Sequence, residues 1–144
     1  MPIDPRLNTI DDCLYRVAIR ALIMQDGKVL LVKEKDDNRW ALPGGGVDHG
    51  ETAESTLRRE VEEELGVPAQ KVISDLQIIY YNIGKVVNGV PRMNIYFKVS
   101  VPEQLLRKTE HVALWKWFTK DEFLRSDLNP SYEKATLARV VFND

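Results

Sequence analysis

Little in this chain points toward membranes, nucleic acid or an oxidising compartment. Cys13 is its only cysteine, so no internal disulfide can form, and a reducing, cytoplasmic location is the expectation. The opening MPIDPRLNTIDD has two prolines, three aspartates and no apolar core, so no signal peptide is expected. Residues 1–12 read instead as an N-terminal arm on a single domain spanning 1–144. Charge interrupts the apolar stretches within a few residues, so no membrane span is expected. The formal net charge is only -2, which leaves no basic field to draw in nucleic acid, although local basic groups can still bind a small anion. Repeats and low-complexity linkers are absent as well.

What remains is the make-up of a globular domain with a real core, 44% hydrophobic and 29% charged. LYRVAIRALIM (14–24) is rich in strand formers, Asp26-Gly27 supplies a hairpin turn, and VLLV (29–32) returns. Further strands are expected at 72–81, 93–101 and 114–118, with a turn at Asn88-Gly89. TKDEFLRS reads as a short helix, and Asn129-Pro130 as the start of a final one carrying Ala135, Ala138, Val141 and Phe142 on one face. Strand groups with helices between and after them imply a mixed sheet flanked by helices.

The densest stretch is GGGVDHGETAESTLRREVEEELGVP (44–68), with seven acidic residues in 25 positions. Its helix is expected over 52–65, capped by Thr52 and stopped by Gly66, with Pro68 just beyond. On a helical wheel Ala53, Leu57, Val61 and Leu65 form the core stripe. Glu62 and Arg58 point away from it, whereas Glu60, Glu63 and Glu64 gather at one edge of it, and Glu64 overlaps it. Carboxylates spaced i, i+3 and i+4 repel one another, and a charge at a half-buried edge needs a partner. Two readings stand at this point: a Glu-rich solvated face partly neutralised by Arg58 and Arg59, or a site for a hard divalent cation, Mg²⁺ or Mn²⁺. The glycines just before the helix permit close approach of backbone to a ligand. Arg59 can pair with Glu51 if the preceding loop folds back.

The stretch closely resembles the signature of the Nudix hydrolases. That pattern is Gly, five residues, Glu, seven residues, then Arg-Glu-apolar-any-Glu-Glu-any-Gly-apolar. Gly45, Glu51, Arg59, Glu60, Val61, Glu63, Glu64, Gly66 and Val67 fill it without a departure. Its seven fixed identities arise by chance at roughly 10⁻⁸ per start position. RWALPGG before the box and WFTKDEF after it are also similar to the family.

The resemblance implies an α/β/α sandwich with a mixed β-sheet and metal-dependent hydrolysis of a nucleoside diphosphate linked to another group, with Mg²⁺ or Mn²⁺ as cofactor. It implies Glu60 and Glu64 as main metal ligands, Glu63 sharing them and the Gly44 carbonyl as a further ligand. Arg59 and Glu51 would orient the catalytic helix and loop. The general base would be Glu60 or a glutamate of a later loop, for which Glu110 is the candidate. Carboxylates alone would repel a diphosphate, so bridging cations fit the residues physically too.

Trp40, Tyr81 and Arg92 are candidate substrate-binding residues, for base stacking, cleft lining and phosphate respectively; packing or surface roles compete for each. A small nucleotide is the expected partner, and a homodimer is permitted. A nucleotide-sensing Nudix-like module without catalysis is the alternative; it predicts lost box carboxylates, and none is lost.

Overall fold

The computed structural model describes residues 5–7, 9, 14–87 and 89–143. Cys13, most of the arm, and Asn88 of the expected turn lie outside the described residues. In chain order the elements are β1 (Arg16–Leu22), β2 (Met24–Gln25), β3 (Lys28–Glu34), β4 (Gly44–Gly46), α1 (Ala53–Leu65), β5 (Ile78–Val87), β6 (Val90–Lys98), β7 (Val112–Phe118), α2 (Lys120–Arg125) and α3 (Lys134–Phe142). No helix among the described residues is long and apolar enough to cross a membrane.

The strands form two sheets, ordered β4-β1-β6-β5 and β2-β3-β7. The first is mixed: β1 runs parallel to β6 and antiparallel to β4. Asp26 and Gly27 take φ of 51° and 74°, as a tight hairpin turn requires, but the hairpin joins β3 to the short β2 rather than to β1. The chain changes sheet at Ile23, whose carbonyl accepts from the Leu30 N–H at 3.0 Å.

Both faces of these sheets are covered, which is why Ala18 through Leu22 and Val29 through Val32 are buried without a break. Ile19, Ala21, Leu30 and Val32 meet Leu57, Val61 and Leu65 of α1 in one core. Leu22, Leu31 and Tyr96 meet Phe123 of α2 and Leu137, Ala138 and Val141 of α3 in the other. The α/β/α layering is thus the expected one. Burying each of the three α1 side chains contributes about 1.5–3 kcal/mol.

Three boundaries differ from expectation. Residues 72–77 are not strand, because the Ser74 and Asp75 side chains accept from the backbone N–H groups of Leu76 and Gln77 and Leu76 turns to φ 57°. The last helix begins at Lys134, since the Asn129 side chain accepts from Ser131 N–H at 2.9 Å and builds a turn in place of a cap. Gly44–Gly46, for which no strand is expected from the sequence, is itself a strand paired with β1.

Candidate active site

The site begins with a well-capped helix against a glycine strand. Thr52 Oγ1 accepts from Ser55 N–H at 3.1 Å while Ser55 Oγ accepts from Thr52 N–H at 2.9 Å, and Gly66 closes α1 at φ 72°. This fixes the rotation of α1. Leu57, Val61 and Leu65 face the core, and Glu64, one position before Leu65, is carried inward to only 4% exposure.

Glu64 is docked on β4: its Oε1 accepts from Gly44 N–H at 2.7 Å. Glu60, one turn earlier, lies over Gly45 so closely that a Cβ there would sit 2.5 Å from its Oε1. Gly44 has a different reason to be glycine. Its φ is 142°, and a Cβ would collide with the Ile19 carbonyl oxygen.

Arg59 ties the loop to the helix. Its Nε donates to Glu51 Oε2 at 2.7 Å and Nη2 to Glu51 Oε1 at 2.9 Å, while Nη1 reaches Glu60 Oε1 at 2.9 Å and Glu63 Oε2 at 3.3 Å. The Arg59 fork holds the Glu51 carboxyl down at about 2, helped by Asp48 N–H and the Thr56 hydroxyl. Burial acts oppositely on the other two. It pushes Glu64 well above the usual carboxylate range, with Glu60 adding repulsion against the Gly44 N–H. Burial also raises Glu60, against Arg59, and Glu63 adds to the rise.

No three acidic, histidine or cysteine side chains among the described residues already form a closed cation cage. Glu64 is turned to Gly44, and Glu60 and Glu63 to Arg59. The donors are nonetheless all hard oxygens, and the two most buried carboxylates repel each other. A divalent cation of the Mg²⁺ or Mn²⁺ type relieves that repulsion, so the residues fit one.

Residues 14–138 match the model of the NUDIX domain family. The chain is a Nudix hydrolase. It is 50% identical to the nucleoside triphosphatase NudI of Escherichia coli O139:H28 (strain E24377A / ETEC), covering 83% of this chain and 92% of that protein. The MutT protein of Methanosarcina mazei Go1 superposes with a TM-score of 0.73 at 21% identity, over 90% of this chain and 94% of its own. A MutT NUDIX hydrolase of Burkholderia pseudomallei gives 0.65 at 26% identity, over 87% and 95%.

The other candidate residues of this Nudix hydrolase are spread more widely. Glu110 has a side chain 85% exposed and lies 3.7 Å from His111 Nε2, and together they line a hollow with Glu34 through Asp37. The neighbouring Thr109 reaches the helix, its hydroxyl donating to the Glu64 carbonyl at 3.3 Å. Trp40 packs edge-on against Phe118 at 4.8 Å beneath the Lys33 ammonium, also at 4.8 Å. Tyr81 is opposite Ile95 in the β5–β6 ladder, and Arg92 is an odd number of residues from Ile95, so the two side chains leave the sheet on opposite faces.

Sequence reasoning missed Arg20, Thr56 and Tyr132. Arg20 is 5% exposed, donates from Nη1 to the Leu42 carbonyl at 3.2 Å and lies 5.5 Å from the Tyr132 ring centre. Leu42 N–H in turn is paired with the Tyr132 hydroxyl at 3.1 Å. A signal for Arg20 exists: a lone charge inside VAIRAL, a strand buried on both faces.

Proposed function

We propose that this Nudix hydrolase cleaves a phosphoric anhydride bond of a nucleoside triphosphate or related nucleotide by attack of water on phosphorus, with Mg²⁺ or Mn²⁺ bound. The observation that carries this reading is the buried Glu64 carboxylate beside Glu60 on the β4 edge, with the Arg59–Glu51 fork behind them. The nucleoside triphosphatase named among the relatives supports the substrate class.

Glu60, Glu63, Glu64 and the Gly44 carbonyl would hold the cation. When bound, it neutralises phosphate oxygens and makes phosphorus more open to attack. Glu60, whose side chain is mostly buried and lies over Gly45 at the β4 edge, accepts the water proton. We assign it this role over Glu110, whose carboxylate is solvated and faces the 34–37 loop. Water oxygen bonds to phosphorus, the bridging oxygen leaves with the departing phosphate, and Arg59 and Glu51 keep the helix and loop in register throughout.

A panel of nucleoside triphosphates, nucleotide sugars and dinucleoside polyphosphates with Mg²⁺ or Mn²⁺, products followed by phosphorus NMR, tests this. Turnover of triphosphates is expected. A panel with nucleotide sugars turned over and triphosphates left intact would contradict the substrate assignment.

A further inference from the structure

Three buried side-chain atoms lack a hydrogen-bond partner among the described residues: Arg20 Nε, Arg92 Nε and Asn94 Oδ1. They are not scattered. Arg92 pairs with Arg16, Asn94 with Ala18 and Arg20 with Tyr96 in the β1–β6 ladder, so alternation sends all three from the sheet face opposite α1. This is the face that also carries Tyr132 and Leu22.

Charge makes the arrangement stranger. Arg16 is engaged, its Nη1 donating to the Val47 carbonyl at 2.9 Å and its Nη2 to Asp48 at 3.3 Å. Arg20 holds the Leu42 carbonyl. Arg92 is half-buried; burial, then Arg20, then Arg16 push its pKa down, and only Tyr132 and Glu34 oppose them. A desolvated cation set among cations is a poor structural device, because its removal relieves repulsion and burial together. It is a good ligand device if the acceptors arrive with the ligand.

We propose that Arg92, with Arg20, anchors the substrate on the sheet face behind the β4 edge, the two guanidiniums taking oxygen acceptors of the nucleotide. The inference rests on the nucleotide reading above. Phosphate oxygens and base carbonyls share this chemistry, and inhibitors separate them.

Arg92→Met keeps the side-chain length and removes the charge. In the full chain with Mg²⁺ it is expected to raise KM for a nucleoside triphosphate by about 10-fold or more, with the effect falling on KM rather than kcat. Its melting temperature should stay level or rise, which removing a structural arginine would not produce. Arg92→Lys, keeping charge without the fork, should recover part of the loss. If phosphate is the group held, Arg92→Met weakens competitive inhibition by inorganic triphosphate; if a base carbonyl, it weakens inhibition by the unphosphorylated nucleoside. Unchanged KM and unchanged inhibition by both, or a lowered melting temperature with unchanged KM, would overturn the assignment. Thermal upshift on binding inorganic triphosphate or the unphosphorylated nucleoside needs no turnover, and for the ligand that carries the held group it should be smaller in Arg92→Met than in wild type. It separates failure of this inference from failure of the nucleotide reading, which would show as a wild type inert on the nucleotide panel.

Discussion

Arg59 and Glu51 meet fork to fork, Nε to Oε2 at 2.7 Å and Nη2 to Oε1 at 2.9 Å, while the third nitrogen of the same guanidinium reaches Glu60 and Glu63. One planar group therefore sets the loop, the candidate base and a candidate ligand at once. Glu51 is further held by Asp48 N–H at 3.0 Å and the Thr56 hydroxyl at 3.1 Å. The pair is a joint between β4 and α1 as much as an ion pair.

Arg59→Lys keeps the charge and loses the fork. It should lower kcat by about 10- to 100-fold, because a point charge cannot hold Glu51, Glu60 and Glu63 together. Steady-state kinetics beside a circular dichroism spectrum check this; a lysine variant with wild-type kcat would show that the fork does not position the site.

Two carboxylates make opposite contributions to the pH profile of stability. Glu51 lies lower in the folded chain, about 2 against 4.5, so its contribution is present above pH 4.5 and is lost as pH falls toward 2. Glu64 lies higher when folded, so its contribution is full below 4.5 and is lost as pH rises through its folded value. Melting temperatures across pH should therefore show Glu51→Gln less sensitive than wild type between pH 4.5 and 2. Added Mg²⁺ should raise the melting temperature more at pH 8 than at pH 5, since the cation needs the ionised carboxylates. Equal acid limbs in the two proteins, or an equal Mg²⁺ effect at both pH values, would contradict these signs.

Adjacent glycines should fail differently. Gly44→Ala forces a Cβ into the Ile19 carbonyl oxygen at φ 142° and should destabilise the fold by about 2–3 kcal/mol. Gly45→Ala meets only the end of the Glu60 side chain, 2.5 Å away, so it should fold near normally and lose activity. Denaturant titration with activity assays on both variants distinguishes them; similar stability losses would refute the separation of roles.

The Nudix box was legible because its residues are local. Helical periodicity alone placed Glu60, Glu63 and Glu64 on one edge, and Thr52 and Gly66 marked the ends of α1. Strand pairing was harder to read. The Asp26-Gly27 turn is visible in the sequence, yet nothing local says that β1 and β3 belong to different sheets, a choice settled by which faces the helices must cover. Asn129-Pro130 looked like a helix start because the competing bond from Asn129 to Ser131 N–H has the same chemistry as a cap. Arg20 and Tyr132 meet across more than a hundred positions, so only the folded chain brings them together. Tyr81 and Arg92 leave the sheet on opposite faces, a relation that only the β5–β6 register reveals.

The central claim is that the glutamates at the β4 edge, Glu64 foremost, hold the divalent ion on which hydrolysis depends. Glu64→Gln tests it most directly, since glutamine can still accept from Gly44 N–H and so spares the docking of α1. With Mg²⁺ and a nucleoside triphosphate that the wild type hydrolyses, phosphate and pyrophosphate release by Glu64→Gln should fall by about 100-fold or more with the melting temperature retained. Release at the wild-type rate from the folded variant would contradict the account.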